Sequence, residues 1–138
     1  MSVYKKENPT YLSDSLESIL INQTCKPDEL ILVKDGPLTN ELEQVIKRYQ
    51  SLFTNFKVVP LEKNMGLGLA LRKDLEHYNY EWVARMDTDD IAKPNRFEEQ
   101  LNYFQEHPDL ANECIVRGSS PSGSTMHLTS VCAFWISW

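Results

Sequence analysis

Apolar positions along the chain change period repeatedly, and each change falls at a turn signal. Met1-Ser-Val-Tyr4 has the character of the last residues of a strand, and Lys5 to Asn8 is a polar turn. Asn8-Pro9 is an N-cap followed by proline at the first helical position. Leu12, Leu16, Ile19 and Leu20 then recur at helical spacing, predicting a helix to about Asn22. After Pro27-Asp28 comes Glu29-Leu-Ile-Leu-Val-Lys34, a continuous apolar run of the kind found in a parallel strand covered on both faces. Asp35-Gly36-Pro37 ends it. Thr39 is placed to cap a second helix with Leu42, Val45, Ile46, Tyr49 and Phe53 on one face. Phe56 to Pro60 predicts a third short strand. Asn64-Met-Gly66 turns into a helix carrying Leu67, Leu71, Leu75 and Tyr78. Glu81 to Met86 predicts a fourth strand, and Pro94 opens a last helix with Phe97, Leu101 and Phe104 inward.

Strand and helix alternate throughout, which predicts an α/β fold: a parallel-core sheet with right-handed crossovers and helices on both faces. At 138 residues the chain has the length of about one domain. The expected division is a half-domain over 1–111 and a divergent tail over 112–138. In the tail Ile115-Val116 can start a strand, and Gly118 to Thr125 has a small-residue linker composition. Its end, Val131 to Trp138, is apolar and aromatic without clear periodicity, an edge strand or a disordered end.

Charge and cysteine content narrow the class. The net charge of −6 argues against a general nucleic-acid binder. Cys25, Cys114 and Cys132 are odd in number and widely spaced, indicating neither a disulfide framework nor a zinc site. A reducing, cytoplasmic setting is expected. No signal-peptide segment and no run of about 18 apolar residues is present. Attachment at the inner face of a membrane stays open.

The chemistry gathers at Asp87-Thr88-Asp89-Asp90, three carboxylates in four residues behind an apolar strand. A solvated acidic turn is the plain alternative. A divalent cation site is the sharper one. In an extended chain Asp87 and Asp89 share a face. Mg²⁺ or Mn²⁺ takes one or two carboxylates, with substrate phosphates and water completing its shell. Ligands in open α/β sheets bind off the carboxyl ends of strands. A calcium loop of the EF-hand kind is ruled out, because Ile91 and Ala92 stand where a ligand and a glycine are required.

Tyr4, Asp35, the Asn64-Met-Gly66 turn with Arg72 behind it, and Asp87/Asp89 all fall at carboxyl ends of predicted strands. Singly each has a structural explanation: a packed aromatic, a turn dipeptide, a turn glycine, a helix-surface Arg72–Glu76 pair. Together they carry a resemblance. Ser2-Val-Tyr4, Ser15-Leu-Glu-Ser-Ile-Leu20 with Gln23-Thr24, Glu29 to Gly36, Asn64-Met-Gly66 with Ala70-Leu-Arg72, and Arg85 to Asp90 with Pro94-Asn-Arg96 and Gln100 form one set. The set resembles the nucleotide-binding half of the family 2 glycosyltransferases, of GT-A fold, from the first residue to about Leu110.

That resemblance implies metal-assisted transfer of a sugar, with inversion, from a nucleotide-diphosphate donor to an acceptor hydroxyl. The expected donor is a UDP-sugar. A saccharide or lipid-linked acceptor, as in polysaccharide biosynthesis, is the expected partner. By the same resemblance Tyr4 lies against the base, Asp35 accepts from the base edge, and Arg72 helps hold the base. Asp87 contacts the ribose or sugar, Asp89 ligates the metal with Asp90 beside it, and Arg96 anchors the following loop. No match to the family's acceptor-side general base is found, so the catalytic base is unassigned, and a shortened chain is expected. A truncated, non-catalytic nucleotide- and metal-binding domain is the alternative. A nucleotidyltransferase would want a Gly-rich basic loop after the first strand, and Lys5-Lys6-Glu7-Asn8 is not one.

Overall fold

The computed structural model describes residues 1–66 and 83–107. Three strands, β1 (Ser2–Val3), β2 (Leu30–Lys34) and β3 (Phe56–Pro60), form a parallel sheet in the order β1-β2-β3. Register pairs Ser2 with Val33, and Leu30 through Lys34 with Phe56 through Pro60. β2 is central in this sheet. Leu30, Ile31, Leu32 and Val33 are all buried, as the unbroken apolar run requires of a strand covered on both faces.

Helix α1 (Pro9–Leu20) starts where the sequence predicts. The Asn8 side chain accepts a hydrogen bond from the Thr10 N–H at 2.9 Å, and Pro9 fills the first turn, where a missing N–H costs nothing. Helix α2 (Asn40–Leu52) is capped by Thr39, whose hydroxyl accepts from the Leu42 N–H at 3.4 Å. Both crossovers move in the same direction across the sheet. Right-handed connections then put both helices on one face. Their mutual packing agrees: Leu12, Leu16 and Ile19 of α1 and Leu42 and Ile46 of α2 are buried in one core with Val3, Leu32 and Phe56. Each such side chain contributes about 1.5–3 kcal/mol. The Tyr49 hydroxyl donates to the Ser13 carbonyl at 3.0 Å and ties the two helices.

Two expectations change. Val83 to Met86, the described part of the expected fourth strand, forms no ladder among the described residues. A side chain takes one of its carbonyls: Arg96 Nη2 donates to the Arg85 carbonyl at 3.0 Å. Met86 is nonetheless buried in the core. The last helix, α3 (Arg96–Glu106), begins two residues after Pro94, with Asn95 as a cap that makes no side-chain cap bond. None of its residues is buried, and among the described residues Phe97 is the one side chain of its apolar face packed against the core. The expected helix from Gly66 to Tyr78 and the tail strand lie outside the described residues.

Candidate donor site

Parallel strands end on the same side, so β1, β2 and β3 deliver their following loops to one edge. The Asp35 N–H donates to the Val3 carbonyl at 2.8 Å and the Leu61 N–H to the Lys34 carbonyl at 2.9 Å. The residues after Val3, Lys34 and Pro60 are thereby brought together.

Asp35 is only 4% exposed and points into that edge. Its carboxylate accepts the Met65 N–H at 2.6 Å and the Gly66 N–H at 3.1 Å, one on each oxygen. Its carbonyl accepts from the Asn64 amide at 3.3 Å. Beside it Gly36 has φ +86°, and a Cβ there would stand 2.7 Å from the Asn64 backbone nitrogen. The Asp-Gly dipeptide is therefore a seat for the 64–66 loop as well as a turn. A carboxylate has about four lone-pair sites, so each oxygen keeps capacity for a further donor. Tyr4 is exposed at the end of β1, and its carbonyl accepts the Glu7 N–H at 3.1 Å. Arg72 lies outside the described residues.

Asp87 to Asp90 is a turn and not an extended strand end: the Asp90 N–H reaches the Asp87 carbonyl at 3.4 Å. The alternation that would set Asp87 and Asp89 on one face does not operate in a turn. The residues differ in surroundings. Thr88 is buried, Asp87 half-buried, and Asp89 and Asp90 exposed. Asp87 accepts from Arg85 Nη2 at 3.2 Å, an open ion pair worth little by itself.

Glu7, which sequence reasoning missed, faces this turn from the β1–α1 loop. Burial first, then the charges of Asp89 and Asp87, hold its carboxyl above the usual carboxylate range. The available signal was positional: it stands three residues after Tyr4, at a carboxyl end of the sheet. A group with a raised folded pKa is favourable while protonated and loses that contribution as pH rises through its folded pKa. In chelator-treated buffer, Glu7→Gln is therefore expected to raise the melting temperature near pH 7. The gain should vanish below the ordinary carboxylate pKa, as read by thermal melts across pH.

Arg96 balances the other side. Its Nη1 donates to the Met86 sulfur at 2.7 Å, and burial lowers its pKa while Asp90 and Asp87 act to raise it. Arg96 was expected to anchor the loop after the acidic motif; its side chain instead bonds Arg85 and Met86, which precede that motif.

Among the described residues no three His, Cys, Asp or Glu side chains are grouped to hold a metal ion. Mg²⁺ and Mn²⁺ do not need three, since they retain water and take phosphate oxygens. Burial first, then the charges of Asp89 and Asp87, lift the Glu7 carboxyl, so negative charge gathers at this turn, a setting that a hard divalent cation would suit. Among the described residues no helix is long and apolar enough to cross a membrane.

The family model for glycosyl transferase family 2 matches residues 1–135, past the point near Leu110 where the sequence resemblance was placed. An uncharacterized glycosyltransferase of Haemophilus influenzae is 47% identical over 134 residues, covering 97% of this chain and 48% of the relative. The amylovoran biosynthesis glycosyltransferase AmsE of Erwinia amylovora is 48% identical over 110 residues, 80% of this chain and 41% of the relative. An Escherichia coli relative, UDP-Gal:alpha-D-GlcNAc-diphosphoundecaprenol beta-1,3-galactosyltransferase, is 43% identical over 80% of this chain and 39% of its own length. This chain thus spans about half the length, or less, of these relatives. Among solved structures, Staphylococcus aureus TarS 1–349 in complex with UDP superposes with a TM-score of 0.64 and 26% identity, over 78% of this chain and 32% of that one. Parallel β/α order, a site at the strands' carboxyl ends and a family match over nearly the whole length agree: the chain belongs to glycosyl transferase family 2.

Proposed function

We propose that these residues form the donor-binding part of a glycosyltransferase that takes its sugar from a UDP-sugar with a divalent cation. The observation that carries the reading is Asp35 at the carboxyl end of β2 seating the 64–66 loop beside the end of β1, where Tyr4 stands, with the charges of Asp89 and Asp87 acting on Glu7 in the loop after β1. Tyr4 offers a ring for the base. Asp35 offers spare acceptor capacity for a ring N–H. Asp89, with Asp90 or Asp87, would hold Mg²⁺ or Mn²⁺. Such a cation would stabilise negative charge on the departing diphosphate. The chain's own part is to fix the remote nucleotide, which sets the anomeric carbon for attack by an acceptor hydroxyl. Inversion, and an acceptor that is a saccharide or lipid-linked saccharide, belong to the same proposal. The UDP complex of TarS supports the donor, and the lipid-linked substrate named for the Escherichia coli relative supports the acceptor.

Calorimetric titration of the 138-residue chain with UDP, with and without Mn²⁺, tests the donor site. Saturable binding strengthened by Mn²⁺ is expected. A folded sample showing no Mn²⁺-dependent binding would reject the reading.

A further inference from the structure

The acidic turn is held from outside itself. Between Asp87 and Asn95 the chain has neither helix nor strand, and its short-range backbone bonds include Asp90 N–H to the Asp87 carbonyl, Arg96 N–H to the Lys93 carbonyl and Glu99 N–H to the Asn95 carbonyl. Several of its other polar groups run to α1 and the residues just after it. The Ser15 hydroxyl donates to the Asp87 carbonyl at 3.2 Å. Ser18 Oγ donates to the Ser15 carbonyl at 2.7 Å and accepts the Ala92 N–H at 3.0 Å. Gln23, 4% exposed, donates through Nε2 to the Ser18 carbonyl at 2.9 Å and the Lys93 carbonyl at 2.7 Å. Its Oε1 accepts the Phe97 N–H at 3.3 Å. The Thr24 N–H donates to the Pro94 carbonyl at 2.7 Å, and its hydroxyl to Glu98 at 2.7 Å.

Two polar side chains on an otherwise apolar helix face, and a third three residues beyond its end, are expensive to bury unless paired. Ser15, Ser18 and Gln23 are buried, and each places at least one hydrogen bond on one segment, 87–97. Ser15 meets that segment at Asp87, Ser18 at Ala92 and Gln23 at Lys93 and Phe97, so the turn is fastened at its first residue and again beyond its last. An apolar contact would let the segment slide, whereas directed hydrogen bonds fix its register.

We propose that Ser15, Ser18 and Gln23 are positioning residues of the donor site: they set where the Asp87–Asp90 carboxylates stand against a nucleoside diphosphate and its cation. The inference rests on the donor-site reading above. It needs no contact between these side chains and the ligand.

The test uses the whole chain with Gln23→Leu, Ser18→Ala and the conservative Ser18→Thr. Amide hydrogen exchange is read at Ala92 and Phe97, whose N–H groups are the direct reporters, and at Leu32 and Val33 in β2. UDP titrations at increasing Mn²⁺ follow. Exchange should accelerate about ten-fold or more at Ala92 in Ser18→Ala and at Phe97 in Gln23→Leu, on a loss of one buried hydrogen bond. The β2 amides should be unchanged. The Mn²⁺ concentration giving half of the enhancement should rise several-fold, roughly in step with the local opening, and UDP binding without Mn²⁺ should not move. Ser18→Thr, which keeps the hydroxyl, should behave as the parent. Parallel acceleration in β2 would overturn the proposal, since the network would then serve only global stability. So would an unmoved Mn²⁺ dependence in variants whose turn has loosened. Should Gln23→Leu not fold, Ser15→Ala, which removes the single bond to Asp87, carries the same comparison. A parent chain without Mn²⁺-dependent UDP binding would sink the donor reading, and the exchange contrast would still decide whether α1 holds the turn.

Discussion

Asp89→Asn is expected to weaken Mn²⁺-dependent UDP binding by about 100-fold or more. Removing a mere hydrogen-bond partner of a metal ligand typically costs about 10–100-fold in affinity, and a ligand charge should cost at least as much. Asp89 is the strongest candidate because it is exposed, and it is named with Asp87 among the charges acting on Glu7. Asp90 differs, since its charge acts on the half-buried Arg96. A nearby cation already compensates it, so Asp90→Asn should have the smaller effect. Asp28→Asn makes the same charge change just before β2, at the opposite end of the sheet, and should leave the titration unaltered. Thr88 is a poor control: it is 3% exposed, and trimming it would disturb packing. Calorimetry at fixed ionic strength separates these outcomes. Equal affinity for Asp89→Asn and the parent would remove Asp89 from the metal site.

Asp35→Ala should cost about 2–4 kcal/mol of folding stability, read by urea unfolding. Two N–H groups lose a charged acceptor, each such bond contributing about 1.5–3 kcal/mol before water regains part of it. Asp35→Asn keeps one acceptor oxygen and should cost about half as much. The same pair of variants separates two roles. If an Asp35 oxygen also receives the ring N3–H of uracil, the parent should prefer UDP over CDP by about ten-fold, because cytosine presents a bare acceptor there. Asp35→Asn should then shrink that preference. A variant that loses stability while keeping the parent's UDP:CDP ratio would confine Asp35 to seating the 64–66 loop.

Local signals were legible where the physics is local. The Asn8-Pro9 start of α1, the Thr39 cap of α2 and the bounds of β3 depend on residues a few positions apart, and the structure repeats them. The buried run of β2 announced a doubly covered parallel strand without any knowledge of its neighbours. The motif set from Ser2 to Gln100 carried the resemblance to the family whose model matches residues 1–135.

Other features depended on groups far apart in sequence. Asp35 was legible as an acid at a strand end, but not as the acceptor for two N–H groups some 30 residues on. The expected fourth strand had the right composition, yet Arg96 takes the Arg85 carbonyl from 11 residues away. Glu7 is perturbed by burial first and then by Asp89 and Asp87, charges that lie far from it in sequence. Ser15, Ser18 and Gln23 belonged to the quoted motif, but their task became visible only with segment 87–97 laid against α1. Spacing and capping record which faces must be buried and where helices start. Which carboxylate meets which N–H, and whether an acidic run is a strand end or a turn, is decided by long-range packing. There the alternatives differ by only a few hydrogen bonds, and sequence pattern carries no term for them.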